Sequence, residues 1–306
     1  MTARWDQRHT WVAIVGVVVV LLLVVLAMSR GRANVTRAAQ KMMNADTMHI
    51  NAELVINLPE RSRGRERPFT KMTVRLGGDM TRTDDRTPEF GGTLYFEARG
   101  RGNVFFADGQ GRIFRDRVLF NLDNLPVFLN PSGSLVKRWT KVEIPLMQTR
   151  NAAQVQEALL RVMDKAESAG KESLGGESLR RFTITLTEEE EKMLIDVLHQ
   201  STSGNLALDV LARLLDSNVM KDLTVWVKGD ELRQVRAQFV RPFKDAQGTP
   251  QEFDFATLTL RFVDYGKQVS IDAPKHELNV RPHIFARLFG GGEVEEVKVE
   301  PEEREE

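Results

Sequence analysis

The chain has 306 residues, with 43 basic and 43 acidic side chains and no cysteine. The lack of cysteine excludes disulfides, thiolate catalysis and Cys-ligated zinc. Residues 290–306 carry eight acidic against two basic side chains, a net charge of −6, so the preceding residues sum to +6. This acidic tail is typical of a disordered, solvated extension, and the neutral overall charge argues against nucleic acid as a partner.

An unbroken apolar run of 18 residues, Trp11 to Met28, follows a short flank at residues 1–10. As a helix it would span about 27 Å, close to the roughly 30 Å core of a bilayer. The run predicts a transmembrane helix or uncleaved signal anchor, and a single-pass protein of the cytoplasmic (inner) membrane with an extracytoplasmic C-terminal domain. A cleaved signal peptide is the alternative, because Arg4 and Arg8 form a basic n-region.

After the apolar run, residues 33–45 show a helical pattern with an apolar stripe from Val35 to Met42. The following segments are short, rich in β-branched and aromatic residues, and separated by Gly, Pro and Asp, which indicates strands. Asp108-Gly109 lies between two apolar runs and predicts a hairpin turn. The first half is therefore predicted to be an antiparallel meander.

The second half mixes helices and strands. Residues 151–169 predict a helix that ends at Gly170, and the run from Thr187 to Glu190 is a capping box that starts a second one. A third helix is predicted at 206–215, and a hairpin at Gly229-Asp230. The predicted fold class is α+β: after the transmembrane helix comes an antiparallel sheet with helices on one face.

Alternation along the strands predicts which side chains face the interior. Thr257, Thr259 and Arg261 are expected on the wetter face of their strand. The side chains expected in one apolar interior are Leu94, Phe96, Phe106, Val225, Val227, Leu258, Leu260 and Phe262.

The last strands carry a recognisable phrase: Phe262, then Asp264-Tyr265-Gly266, then a short run from Ile271 to Pro274. With the preceding hairpin, the opening helix and the segment 139–145, it resembles the LolA-like superfamily of bacterial envelope proteins, notably lipid-carrying lipoproteins of the LppX and LprG type. The resemblance covers most of residues 33–275. It implies an open half-barrel, a strongly curved antiparallel sheet whose concave face, covered by helices, holds acyl chains. The lipobox Cys of those lipoproteins is missing.

The resemblance predicts that the domain at residues 33–289 is non-catalytic and binds a hydrophobic ligand, either lipid or lipoprotein acyl chains. Mid-strand side chains are the candidates to line the site, although each could equally belong to an ordinary core. These candidates are Phe96, Phe106, Val227, Leu258 and Leu260. The alternative function is an envelope sensor or scaffold module of the same fold that binds a protein partner and no lipid.

A basic loop contains alternate arginines, Arg61, Arg63, Arg65 and Arg67. Guanidinium groups donate in bidentate forks to phosphate and sulfate oxygens, so this loop is a candidate contact for an anionic lipid or wall polymer. The alternative is a charged rim that keeps the sheet edges soluble.

Sequence motifs for catalysis are weak. Five scattered histidines lack metal-site spacing, and two Ser-x-x-Lys matches, at Ser134 and Ser168, lack the motifs that accompany them in enzymes. Asp84, Asp85 and Glu89 are better explained as solvated loop acids than as metal ligands. We therefore expect no enzyme, no metal site and no cofactor.

Overall fold

A computed structural model describes most of the chain between residues 34 and 279. The described residues are 34–58, 61–62, 65–66, 69–82, 88–100, 102, 104–114, 117–126, 136–142, 152–201, 219–244, 249–275 and 278–279. The apolar run 11–28, the predicted helix 206–215 and the acidic tail 290–306 lie outside these residues.

The described residues form three helices and fourteen strands. The helices are α1 (Asn34–Asn44), α2 (Ala152–Met163) and α3 (Glu188–Ser201). The first eight strands are β1 (Thr47–Asn57), β2 (Arg61–Ser62), β3 (Arg65–Glu66), β4 (Lys71–Arg82), β5 (Pro88–Arg99), β6 (Val104–Ile113), β7 (Val118–Asn124) and β8 (Trp139–Val142). The others are β9 (Glu167–Leu174), β10 (Glu177–Ile184), β11 (Val219–Lys228), β12 (Glu231–Lys244), β13 (Pro250–Val263) and β14 (Leu278–Asn279).

All of these strands except β2 and β3 join one sheet, in the order β14-β8-β7-β6-β5-β4-β1-β13-β12-β11-β10-β9. Neighbouring strands are antiparallel, apart from the two-residue β14, which pairs in parallel with β8. In the described residues β9 and β14 are the two edges, so the sheet is open. A large open antiparallel sheet with few helices confirms that part of the predicted fold class and is consistent with a curved half-barrel.

Strand register defines the two faces of the sheet. Leu54 on β1 lies opposite Leu258 on β13 and Val74 on β4, and Val74 lies opposite Phe96 on β5. All four side chains are buried. We call the face that carries them the inner face. Helix α1 packs against β11 and β12 on this side and buries the apolar stripe that the sequence predicted.

A band of glycines crosses β4, β5 and β6. Gly78 lies opposite Gly92, which in turn lies opposite Gly111. A Cβ atom on Gly92 would lie 2.3 Å from the carbonyl oxygen of Gly77, a distance that no side chain tolerates. Only a residue without a side chain lets the two backbones approach this closely, so glycine is required at Gly92. The band therefore allows β4 and β5 to lie close together at this point.

The predicted hairpin at Asp108-Gly109 is wrong, because both residues lie inside β6. The turn comes earlier, where Arg99 pairs with Val104 and Gly102 has a φ of 78°. The register of β6 with β7 shifts between Asp108 and Gly109. A Cβ on Gly109 would lie 2.2 Å from a backbone oxygen of β7. Glycine is needed here for close strand approach and not for a turn.

The predicted helix at residues 151–169 is too long. It ends at Met163, and residues 167–174 form β9 instead. Gly175 and Gly176, with φ of 59° and 84°, turn the chain into β10. Tertiary pairing outweighs the helical composition of this stretch.

Two other local predictions of the second half are confirmed. The Thr187 amide donates to Glu190 Oε2 at 2.9 Å, and the Glu190 amide donates to Thr187 Oγ1 at 3.4 Å, which is the predicted capping box. Lys228 pairs with Glu231 across the predicted turn, and Gly229 has a φ of 62°.

Among the described residues no helix is long and apolar enough to cross a membrane. This finding contradicts the predicted localisation as a single-pass protein of the cytoplasmic membrane. The segment on which that prediction was based, residues 11–28, is outside the described part of the chain.

Candidate ligand-binding site

The centre of the inner face is a closely packed core. Val227 and Phe262 have no exposed surface, Leu260 is 1% exposed, and Leu258 is also buried. Phe96, on the other side of β1, is buried within the same apolar cluster. Four of the five candidate lining residues, Phe96, Val227, Leu258 and Leu260, therefore lie on one continuous apolar surface.

Phe106, the fifth candidate, lies on the opposite face, so its predicted place in the apolar interior is wrong. It is 48% exposed and lies opposite Glu97, whereas the inward Phe96 lies opposite Ala107. Adjacent residues on a strand point to opposite faces, so only one of Phe105 and Phe106 can face inward. The register selects Phe105.

The inner face changes character on β5, β6 and β7. Apolar side chains continue there. Phe90, Phe96, Ala98 and Ile113 are still buried, but several others are only partly buried, in contrast to the closed core near β1 and β13. By register, the inner positions of these three strands hold apolar residues and glycine, and none is charged. The partly exposed side chains are Leu94, Phe105, Ala107, Val118, Phe120 and Leu122. We call this set the apolar wall.

Two features shape the apolar wall. Phe105 is held by an edge-to-face contact with the buried Phe69, with ring centroids 5.1 Å apart. A Cβ atom on Gly111, at an inner position of β6 beside Phe120, would meet no atom within 4 Å. The wall therefore combines fixed aromatic surface with unfilled space.

The outer face of the same strands carries charged and polar side chains beside the exposed Val104 and Phe106. The Tyr95 hydroxyl donates to Glu97 Oε2 at 2.7 Å, and Arg99 donates to the same oxygen at 2.9 Å. The hydrogen bond from Arg99 is the main cause that holds the pKa of Glu97 below its ordinary value. Burying these charged and hydrogen-bonded groups under an apolar ligand would be costly, so this part of the outer face disfavours such a ligand.

A pocket of about 310 Å³ lies on the outer face, and none of the five candidate lining residues borders it. Its walls are β4, β5, β6 and the segment that follows β13. This pocket is distinct from the apolar wall.

The arginine loop is partly described. Arg61 and Arg65 lie in the small β2 and β3 ladder, while Arg63 and Arg67 are outside the described residues. Contact with an anionic surface through these four arginines stays a prediction. Of the loop acids, Asp84 and Asp85 are also outside, and Glu89 lies in β5. The described ranges contain no group of three His, Asp or Glu side chains arranged to hold a metal ion.

Sequence reasoning missed most of the apolar wall. It named Leu94 but neither Phe105 nor Ala107, because the hairpin was placed at Asp108-Gly109. The alternation of Phe105, Ala107 and Gly109 was a usable signal, since these positions share one face of an uninterrupted strand.

No family model matches the sequence, and no curated protein matches it. Among solved structures, the lipoprotein LppX of Mycobacterium tuberculosis matches with 10% identity and a TM-score of 0.38, over 82% of this chain and 99% of its own. LprF from Mycobacterium bovis matches with 11% identity and a TM-score of 0.41, over 79% of this chain and 95% of its own.

A putative outer membrane lipoprotein-sorting protein domain from Vibrio parahaemolyticus matches with 9% identity and a TM-score of 0.21, over 77% of this chain and 93% of its own. These structures are of the class that the sequence resembles. Each of these three TM-scores is below 0.5, so the likeness assigns no function to this chain.

Proposed function

We propose that this protein binds a hydrophobic ligand, with acyl chains lying against the apolar wall. The observation that carries the proposal is the contrast within one face of one sheet. Near β1 and β13 the inner face is closed by packing, whereas the apolar wall on β5 to β7 is uncharged and partly exposed. A contiguous apolar surface left partly exposed is typical of a binding site.

The energetics favour an acyl chain as the occupant. Each methylene removed from water contributes about 0.8 kcal/mol, so several methylenes laid along the wall would give useful affinity without any polar contact. The wall offers no charged side chain to a head group, which would lie toward solvent. A carrier of this kind needs no catalytic residue.

Binding of a dansyl-labelled fatty acid by the full chain tests the proposal. Ala107→Trp adds a large side chain on the apolar wall, while Phe106→Trp is its matched control on the outer face of the same strand. We expect the first variant to weaken probe binding at least tenfold, a loss of about 1.4 kcal/mol, and the second to leave it unchanged. Circular dichroism of both variants checks that the fold is kept.

Mass spectrometry of an organic extract of the purified protein gives an independent measurement. We expect a co-purifying lipid that is depleted in Ala107→Trp. If the protein yields no lipid and binds no probe, or if both Trp variants weaken the probe equally, the proposal is wrong. A protein-binding module would then replace it, and the exposed apolar side chains Val104 (57%) and Phe106 (48%) would be its first candidate contacts.

A further inference from the structure

The outer pocket of about 310 Å³ is built by the chain crossing over its own sheet. After β13, Asp264 and Gly266 take φ of 53° and 74° and redirect the chain. The Gly266 amide donates to the Thr47 carbonyl at 3.0 Å, and the Tyr265 hydroxyl donates to the Leu232 carbonyl. Residues 267–275, which we call the strap, then run without regular structure.

The strap forms one wall of the pocket, and the sheet forms the other. Ile271 lies over Gly91, where an added Cβ would come within 3.1 Å of the Ile271 Cγ2 atom. The strap can lie this close only because Gly91 has no side chain. The residues that line the pocket are Asp79, Gly91, Gly92, Thr93, Gln110, Gly111, Arg112, Val269, Ser270, Ile271 and Asp272.

Arg112 distinguishes this pocket from the rest of the outer face. Nearby arginines are neutralised: Arg75 Nε lies 2.7 Å from Glu53, and Arg99 is paired with Glu97. Arg112 instead stacks on Trp139, with its guanidinium carbon 4.7 Å from the ring centroid, and has no ion pair among the described residues. It is half-buried. This cation–π contact restrains the guanidinium group, whose N–H groups can still donate to an anion.

The two acids of the pocket already have partners. Asp79 Oδ1 lies 2.8 Å from His49 Nδ1, and Asp272 accepts a hydrogen bond from the Ser270 hydroxyl at 2.9 Å. Neither acid has a described ion pair with Arg112. Their remaining lone pairs, together with the Gln110 amide, can accept hydrogen bonds from hydroxyl groups.

We propose that the outer pocket binds a small polyol that carries a phosphate or a carboxylate. The anionic group lies on the Arg112 fork, and the hydroxyl groups donate to Asp79 and Asp272. Two acids that already have partners lie beside Arg112, which has no carboxylate partner among the described residues. This combination suits one ligand that presents both an anion and hydroxyl donors. A volume of about 310 Å³ is at the lower end of small-molecule pockets, which suits a ligand of this size.

Isothermal titration calorimetry of the full chain with glycerol 3-phosphate and with glycerate tests the proposal and separates the two anion sources. Glycerol, which lacks the anion, is the third probe. We expect at least one anionic probe to bind, and to bind at least tenfold more tightly than glycerol. Arg112→Gln should weaken that probe at least tenfold, whereas Arg75→Gln, on the same face but outside the pocket, should leave it unchanged.

Thr93→Phe gives a second route if Arg112→Gln does not fold, because Thr93 is exposed and its replacement fills the pocket. It should abolish the same binding. The proposal is overturned if neither anionic probe binds, if glycerol binds as tightly as they do, or if both Arg112→Gln and Thr93→Phe bind like the unaltered chain. Because the apolar wall is on the other face, dansyl fatty acid binding should be unaffected by these variants.

Discussion

Phe262 is a fully buried side chain at the centre of the inner face, opposite Ile50 on β1. Truncation to alanine would leave a cavity in a core that cannot fully collapse. We expect Phe262→Ala to lower the free energy of unfolding by about 3 to 5 kcal/mol. Urea denaturation followed by circular dichroism measures this loss.

The matched control is Phe243, which is 48% exposed on β12. Phe243→Ala should change the free energy of unfolding by about 0.5 kcal/mol or less. A loss below about 1 kcal/mol at Phe262 would contradict its assignment to the packed core.

Trp226 shows that the outer face is not uniformly wet. It alternates with the inward Val225 and Val227 and so lies on the outer face of β11, yet it is 3% exposed. Its indole Nε1 donates to Glu172 Oε2 at 3.0 Å, and Arg181 lies 3.6 Å from the same oxygen. The indole thus meets the requirement that a buried N–H has an acceptor.

Removing that donor should have a measurable cost. Trp226→Phe keeps most of the ring and should lower the free energy of unfolding by about 1 kcal/mol. Glu172→Ala should cost less in the Trp226→Phe background than in the unaltered chain, because the shared hydrogen bond is already lost. Strictly additive losses in thermal unfolding would show that the bond contributes nothing.

At the scale of elements, the glycine band determines how β4, β5 and β6 approach one another. Gly92→Ala would force a Cβ to 2.3 Å from a backbone oxygen, whereas Gly111→Ala would enter open space. We expect the first change to lower the free energy of unfolding by about 1 to 3 kcal/mol or more. The second should change it by about 0.5 kcal/mol or less. Equal effects in chemical denaturation would argue against this close approach of the backbones.

Elements with one clear local cause could be predicted from the sequence. The apolar stripe of α1, the capping box at Thr187 and the hairpin at Gly229 all followed from local chemistry, and the structure has all three. The hairpin prediction at Asp108-Gly109 was wrong because glycine is suited both to turns and to close contacts between strands. Only the neighbouring strand β7 decides between the two. The strand β9 was missed for a similar reason, since its pairing partner and not its composition makes it a strand.

The candidate site was harder to predict than the sheet. Alternation correctly placed Val227, Leu258 and Leu260 on one face, but it could not distinguish closed core from partly exposed wall. That difference depends on which parts of the face α1 and the other strands cover. The outer pocket could not be predicted from local sequence patterns. It forms only because the strap crosses glycines on strands that are distant from it in the chain.

For the whole molecule, ion pairs between distant elements should make stability depend on pH. Hydrogen bonds from lysines are the main cause that lowers the pKa of Asp230, Glu177 and Glu190. Lowered pKa values mean that the folded state holds protons less tightly than the unfolded state. Their contribution is therefore present above the ordinary values of 3.8 and 4.5 and is lost as the pH falls through the folded-state values.

We expect the contribution of these acids to the midpoint of thermal unfolding to be constant above about pH 5. At lower pH this contribution, and with it the midpoint, should fall. Lys41, on α1, donates to Asp230 at 2.9 Å, so Lys41→Gln should reduce the slope of the fall while keeping the fold. A midpoint that rises as the pH drops from 5 to 3 would contradict the sign of these shifts.

During synthesis β1 is made long before one of the two strands with which it pairs. β1 pairs with β4, which follows it closely, and with β13, which begins only at Pro250. At a synthesis rate of about 5 to 20 residues per second, β1 waits on the order of 10 to 40 s for its second neighbour. During that time the nascent chain carries a half-paired strand, with Ile50 and Leu54 lacking their partners on β13. The central strand of the finished sheet is therefore an exposed edge on the ribosome, and that edge is where association with other chains should begin.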